Sequence, residues 1–166
     1  MGSAGSFLMS PFNCRGDCYA TYSDILFRKS TIDKLKDSDK PISILVDSRW
    51  RQRYKGRSEE DYKRCEKVII QNNIATELGV SIDPENADSE FVGVVRFSNS
   101  VTKKILRYGN NNLESIKVKN LSALINRLIS DGFETEIIDV EGDWAELNNP
   151  EDVARFVLGT KANTLS

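Results

Sequence analysis

The sequence contains no histidine. That removes Ser-His-Asp and Cys-His catalysis, histidine-ligated zinc and an imidazole general base. Chemistry is left to carboxylates, Lys, Arg, hydroxyls, thiols or a metal held by oxygen ligands. The three cysteines, Cys14, Cys18 and Cys65, are too few for a disulfide framework or an all-cysteine zinc site. A reduced chain of the cytoplasm is therefore the default, with Cys65 a small buried hydrophobe rather than a nucleophile. The carboxylates are better placed. Asp24, Asp47, Asp139 and the triplet Glu146-Leu147-Asn148 fall where strands are expected to end, and in an open α/β sheet ligands bind beyond the carboxyl ends of strands. Two such clusters brought together supply hard oxygen ligands for magnesium, which takes one or two carboxylates plus substrate phosphates. Glu146 and Asn148 are two apart and share one face of a strand. The competing reading is that these acids cap strand ends and turns, and the pattern alone leaves that the commoner outcome.

The elements that must position these residues follow from the hydrophobic pattern. Met1–Ser10 is small and polar and is expected to be disordered. Cys18–Tyr22 reads as a strand and Ile25–Leu35 as a helix, with Ile42–Val46 a buried strand that stops at Asp47. This order suggests a parallel strand pair joined by a crossover helix. Arg49–Arg64 carries seven basic residues. It reads either as a solvated excursion, the favoured choice on composition, or as a phosphate-contacting loop. Lys67–Ile70 and Phe91–Phe97 read as further strands, and Val101–Tyr108 as a short helix. Over Asn120–Asp131, Leu121, Leu124, Ile125, Leu128 and Ile129 form one helical face ending at Gly132. Glu134–Val140 and Trp144–Leu147 are strands. Asn149 caps a last helix with Pro150 at its first position and acids in its first turn. Trp50 and Trp144 are expected to pack rather than stack on bases. Alternating strands and helices give an α/β fold.

The 166 residues amount to about one domain. Lys plus Arg total 23 against 25 Asp plus Glu, a net charge of −2. This supplies no broad basic field for nucleic acid or an anionic membrane surface, so neither is an expected partner. No stretch approaches the roughly 20 apolar residues of a membrane span, and the N-terminus lacks the basic start and apolar run of a signal peptide.

Five segments carry a more specific message. Tyr22-Ser23-Asp24-Ile25-Leu26-Phe27, Val46-Asp47-Ser48-Arg49-Trp50, Glu66-Lys67-Val68, Ser89-Glu90-Phe91-Val92-Gly93 and Trp144-Ala145-Glu146-Leu147-Asn148-Asn149-Pro150-Glu151-Asp152 recur in this order in one nucleotidyltransferase group. From Tyr19 onward the sequence resembles the phosphocholine cytidylyltransferase-like enzymes, nearest to the nucleotidyltransferase domains fused to phosphoenolpyruvate mutase in phosphonate pathways. The resemblance implies a nucleotide-diphospho-sugar transferase-like fold, with a mixed, mostly parallel sheet flanked by helices. It also implies a metal site for Mg2+ at Asp24 and Glu146, with Asn148 where the family carries a second acid. An amide adds no charge, so a weaker site is expected. Glu90 and Gly93 match the acceptor-pocket segment, where a carboxylate meets a cationic amine, and Lys67 is a candidate contact for substrate phosphate, although a surface lysine is the favoured reading.

The family's opening strand and Gly-rich, Arg- and Lys-bearing loop, which bind nucleotide phosphates, have no counterpart before Tyr19. Residues 1–18 are therefore expected to be a disordered leader and 19–166 an N-terminally truncated nucleotidyltransferase domain. An uncovered strand edge at Cys18–Tyr22 or Ile42–Val46 would invite self-association. The implied activity is magnesium-dependent transfer from CTP or another nucleoside triphosphate to a phosphorylated or phosphonate small molecule, such as phosphocholine or 2-aminoethylphosphonate, releasing pyrophosphate. The alternative is a catalytically inactive domain kept as a remnant or interaction module.

Overall fold

The computed structural model describes residues 2–9, 16–116 and 119–163. Its elements run α1 (Ser3–Leu8), β1 (Cys18–Thr21), β2 (Ile25–Phe27), α2 (Lys29–Asp37), β3 (Ile42–Asp47), α3 (Trp50–Arg53) and α4 (Glu59–Arg64). They continue with β4 (Lys67–Gln71), β5 (Ile74–Gly79), β6 (Ser89–Phe97), α5 (Asn99–Ile116), α6 (Leu121–Ser130), β7 (Thr135–Asp139), β8 (Trp144–Glu146) and α7 (Pro150–Asn163). Six strands form one sheet in the order β1-β6-β3-β7-β5-β4, with β4 also touching β6, and β2 pairs with β8 in a separate ribbon. No described helix is long and apolar enough to cross a membrane.

The centre of the sheet is built from the two most apolar segments. Every residue of β3 and β6 is buried, the pattern of strands covered on both faces. Their side chains alternate between two cores. Ile42, Ile44, Val46, Phe91, Val95 and Phe97 join one under α1, α5 and α6, while Leu45, Val92 and Val94 join Leu35 of α2 and Val140 in the other. The expected face of α6 is present, and Asn120 Oδ1 accepts from Ala123 N at 3.0 Å as the N-cap.

Several expectations are corrected. The mixed α/β sheet holds, but it is not mostly parallel. Only the β3–β7 ladder is parallel among the described pairings, and β1, β3 and β4 all meet β6 antiparallel. The proposed parallel pair is thus split by β6, which inserts between β1 and β3. Ile25–Phe27 is a strand rather than a helix start, because it pairs with Trp144–Glu146. β3 has partners on both edges; β1 ends the sheet. β5 was absent from the sequence reading, although Asn72-Asn73, both at positive φ, is a turn signal for a hairpin.

Within the expected leader, Ser3–Leu8 is helical and packed. Small Ala4 is fully buried, Phe7 lies 5.4 Å from Phe97, and Ser3 Oγ accepts from Leu121 N at 2.8 Å. Residues 1 and 10–15 of the expected leader lie outside the described residues.

Candidate functional site

The four acids expected at strand ends divide into two kinds. Asp47 and Asp139 are turn caps. Asp47 Oδ1 accepts from Arg49 N at 2.9 Å, and Asp139 Oδ1 accepts from Ser48 N and Glu141 N. Asp24 and Glu146 instead come together, because the β2–β8 ribbon pairs Ile25 with Glu146 and Leu147 N donates to Asp24 O at 2.9 Å. The 122 positions between them are thus spanned by one short ladder. The Glu146 carboxyl is raised above the ordinary range, first by burial and also by the negative charge of Asp24, while the Asn148 side chain hydrogen-bonds it and pulls the other way. The Glu146 and Asn148 side chains therefore meet, and Asp24 stands near enough for its charge to act on Glu146, but Asp24 does not itself line the cleft that they border.

Glu146 and Asn148 line a cleft of about 780 Å³, shared with Tyr22, Tyr54, Arg57, Glu66, Glu90 and Trp144. Glu90 stands at its base and is 3% exposed. Tyr54 Oη donates to Glu90 Oε1 at 2.6 Å, and Arg53 Nη1 stands 3.5 Å from Oε2. Burial still dominates and pushes the Glu90 carboxyl up to about 7, with Glu146 and Asp47 adding repulsion. Tyr54 and Tyr22 are raised above their ordinary values by the same burial and by Glu90 and Glu66 respectively. Cys65 borders the cleft and burial raises its thiol to about 11, so it stays protonated at neutral pH, as the sequence suggested.

The other two expected substrate residues lie elsewhere. Gly93 does not border the cleft. It adopts φ +81°, and a Cβ there would come 2.3 Å from the Tyr22 ring. Its lack of a side chain lets Tyr22 pack and reach Glu66 at 2.7 Å. Lys67 fits neither expectation, substrate contact or surface lysine. It is 1% exposed, and its ammonium donates to the carbonyls of Lys63, Cys65 and Val80 at 3.0, 2.9 and 3.2 Å. With all three donors committed, it is a structural cation.

The sequence reading missed the residues that close the cleft. The basic segment is a solvated excursion at Arg49, Arg51, Lys55, Lys63 and Arg64, which are exposed, but not at Arg53 and Arg57. Arg53 lies 3.6 Å over the Trp144 ring, and Arg57 reaches across to Asp152 of α7 at 2.6 Å. Asp152 Oδ2 and Arg57 Nε have no partner, so that buried pair is half-made. The available signal was the interleaving of Arg53, Tyr54 and Arg57 with Trp50, which differs from a plain charge run. Trp50 itself packs in a small core, fully buried and stacked on Tyr62 at 5.1 Å.

This fold has counterparts. No protein-family model matches the chain. The inositol-1-phosphate CTP transferase of T. maritima superposes with a TM-score of 0.68 and 21% identity over 91% of this chain and 57% of that one. A putative glucose-1-phosphate thymidylyltransferase from Bacillus anthracis gives 0.60 and 13% over 92% and 55%. The chain thus has the nucleotide-diphospho-sugar transferase-like fold. In sequence it is 19% identical over 161 residues to the CTP:phosphoglutamine cytidylyltransferase of Campylobacter jejuni, covering 90% of this chain and 62% of that protein. The curated match is to a cytidylyltransferase, in keeping with the resemblance seen in the sequence, and the chain spans about three fifths of that relative's length.

Proposed function

We propose that this chain carries the acceptor and metal half of a magnesium-dependent cytidylyltransferase-like nucleotidyltransferase. The observation that supports the reading is that the β2–β8 ribbon brings Asp24 beside the strand of Glu146, where its charge acts on Glu146, while Glu146 and Asn148 line the cleft. The donor set fits magnesium: two carboxylates and an amide oxygen are hard ligands, and the Glu146 carboxyl, raised first by burial and also by the Asp24 charge, would be returned to its ionised form by a divalent cation. Magnesium, when bound, supplies charge neutralisation of phosphate oxygens. The chain's own part is positioning. Tyr22 and Glu66 wall the cleft, Glu90 and Tyr54 shape its base, and Arg57 with Asp152 ties α7 across it. An acceptor phosphate or phosphonate oxygen attacks the α-phosphorus of CTP or another nucleoside triphosphate, the bond to the bridging oxygen breaks, and pyrophosphate leaves.

The second reading, an inactive interaction module, is favoured by one observation: among the described residues no group of three or more His, Cys, Asp or Glu is disposed to hold a metal. Pyrophosphate release with CTP, magnesium and a panel of phosphorylated and phosphonate acceptors separates the two. The active reading expects release that Asp24→Asn and Glu146→Gln abolish while the variants still melt cooperatively. Equal background rates in all three proteins would leave the inactive reading.

A further inference from the structure

One position beside the cleft has the chemistry of a cation seat, and the chain itself fills it with Arg53, which is not among the residues that line the cleft but packs against two that are, Trp144 and Glu90. Trp144 borders the cleft, and its ring is held in place because Nε1 donates to Oδ2 of fully buried Asp47 at 2.8 Å. Beside it stands the Glu90 carboxylate, its side chain 4% exposed. An aromatic face backed by a buried carboxylate attracts ammonium and guanidinium groups. The group found there is Arg53, its guanidinium carbon 3.6 Å from the Trp144 ring centre and Nη1 3.5 Å from Glu90 Oε2. Its charge also acts on Glu146, so this end of the cleft adjoins the metal ligands.

We propose that Arg53 is the specificity-determining residue of the cleft: a tethered cation in the cation seat, it turns away acceptors with an ammonium head group and selects those with a neutral or anionic one, such as an amide, hydroxyl or carboxylate. The inference rests on reading this cleft as the acceptor site. It narrows the expectation of a cationic amine meeting Glu90, because that carboxylate already has its cation. A free ammonium competes with a group held at high effective concentration by the chain, and displacing Arg53 would strip a buried carboxylate of its counter-charge. Of the guanidinium's five N–H groups, one faces Glu90, which leaves donors for an oxygen-bearing acceptor.

The test vacates the seat and offers it small cations. Arg53→Gln keeps a polar side chain of similar length without charge, and Arg53→Ala opens the full volume. Choline chloride and methylguanidinium are titrated by calorimetry and thermal melting into wild type and both variants, without nucleotide. Either cation is expected to bind the variants about tenfold more tightly than wild type and to raise only their melting temperatures. Arg53→Lys, which keeps a tethered charge, is expected to stay unresponsive. Wild type binding choline as well as Arg53→Gln, or a folded Arg53→Gln that binds neither cation, would overturn the proposal. These readouts do not use transfer activity. Loss of all pyrophosphate release would therefore count against the proposed function and leave the seat result standing. If transfer is observed, the ratio of kcat/KM for phosphocholine over inositol phosphate should rise in Arg53→Gln, and an unchanged ratio would count against the proposal.

Discussion

Lys67 and Glu90 stand opposite each other in the β4–β6 register. Both are at least 97% buried, yet their surroundings treat their charges in opposite ways. Three backbone carbonyls take up the Lys67 ammonium, one donor each. Glu90 has one short hydrogen bond, one ion pair at 3.5 Å and two repelling acids. The first environment replaces water in full, and the second does so only in part. A buried charge that is fully solvated by its own chain holds structure together. One whose charge is only partly met at the base of a cleft stays poised to take up a proton.

The contrast is broken most directly at Lys67. Lys67→Met keeps volume but leaves three inward carbonyls without their donor, at a cost on the order of 3–5 kcal/mol. For a chain of this size that lowers the melting temperature by roughly 6–20 °C. Thermal unfolding followed by circular dichroism checks it. A loss under about 1 kcal/mol would mean that the carbonyls find other donors and that Lys67 is not the structural counterpart of Glu90.

Glu90 gives the second test, and its sign is opposite to that of an ordinary carboxylate. Its carboxyl lies at about 7 in the fold against 4.5 unexposed to these neighbours. Between those values the folded state binds more protons than the unfolded one, so stability falls as pH rises. The contribution is complete below pH 4.5 and lost as pH climbs through 7, for a total of about 3 kcal/mol at most. Glu90→Gln does not ionise. Its stability relative to wild type should therefore climb between pH 5 and pH 8, measured as the difference in urea midpoints across that range. A constant difference would place the Glu90 carboxyl in the normal range and remove the contrast with Lys67.

The same distinction explains what could be read from residues alone. The helix Asn120–Ser130 and the strands β3 and β6 were legible because their signals are local: an apolar stripe with a cap, or an unbroken apolar run. Asp24 and Glu146 stood out as acids at strand ends and through motif order, but their adjacency was not legible, since the two-strand ribbon that joins them is written in Ile25–Phe27, three residues that equally suit a helix start. Lys67 and Arg53 were not legible. A lysine at the start of an apolar strand gives no sign of the three carbonyls that turn toward it, two from the C-terminal end of α4 at 63 and 65 and one from Val80 just after β5. Nor does the run from Arg49 to Arg64 show which arginine turns inward. That is decided by the position of Trp144, 91 residues beyond Arg53.

The smallest expected effect falls at Asn148, where the comparison turns from protons to metal. Asn148 hydrogen-bonds Glu146 and lowers the carboxyl that Asp24 and burial raise. Asn148→Asp would replace that stabilising contact with a third negative charge. Without metal, the new carboxylate pushes Glu146 further up and costs some stability. With Mg2+, each added anion near a divalent cation at partly solvated depth is worth about 1–2 kcal/mol, a tightening of roughly tenfold. Protons compete for the same oxygens, so the gain should be larger at pH 8 than at pH 6. Calorimetric titration of Mg2+ into wild type, Asn148→Asp, Asp24→Asn and the double variant measures this. The gain should shrink in the Asp24→Asn background, because the two oxygens then no longer share the ion. An equal gain in both backgrounds would show that residue 148 attracts magnesium on its own, and that the convergence of Asp24 with Glu146 does not form a metal site.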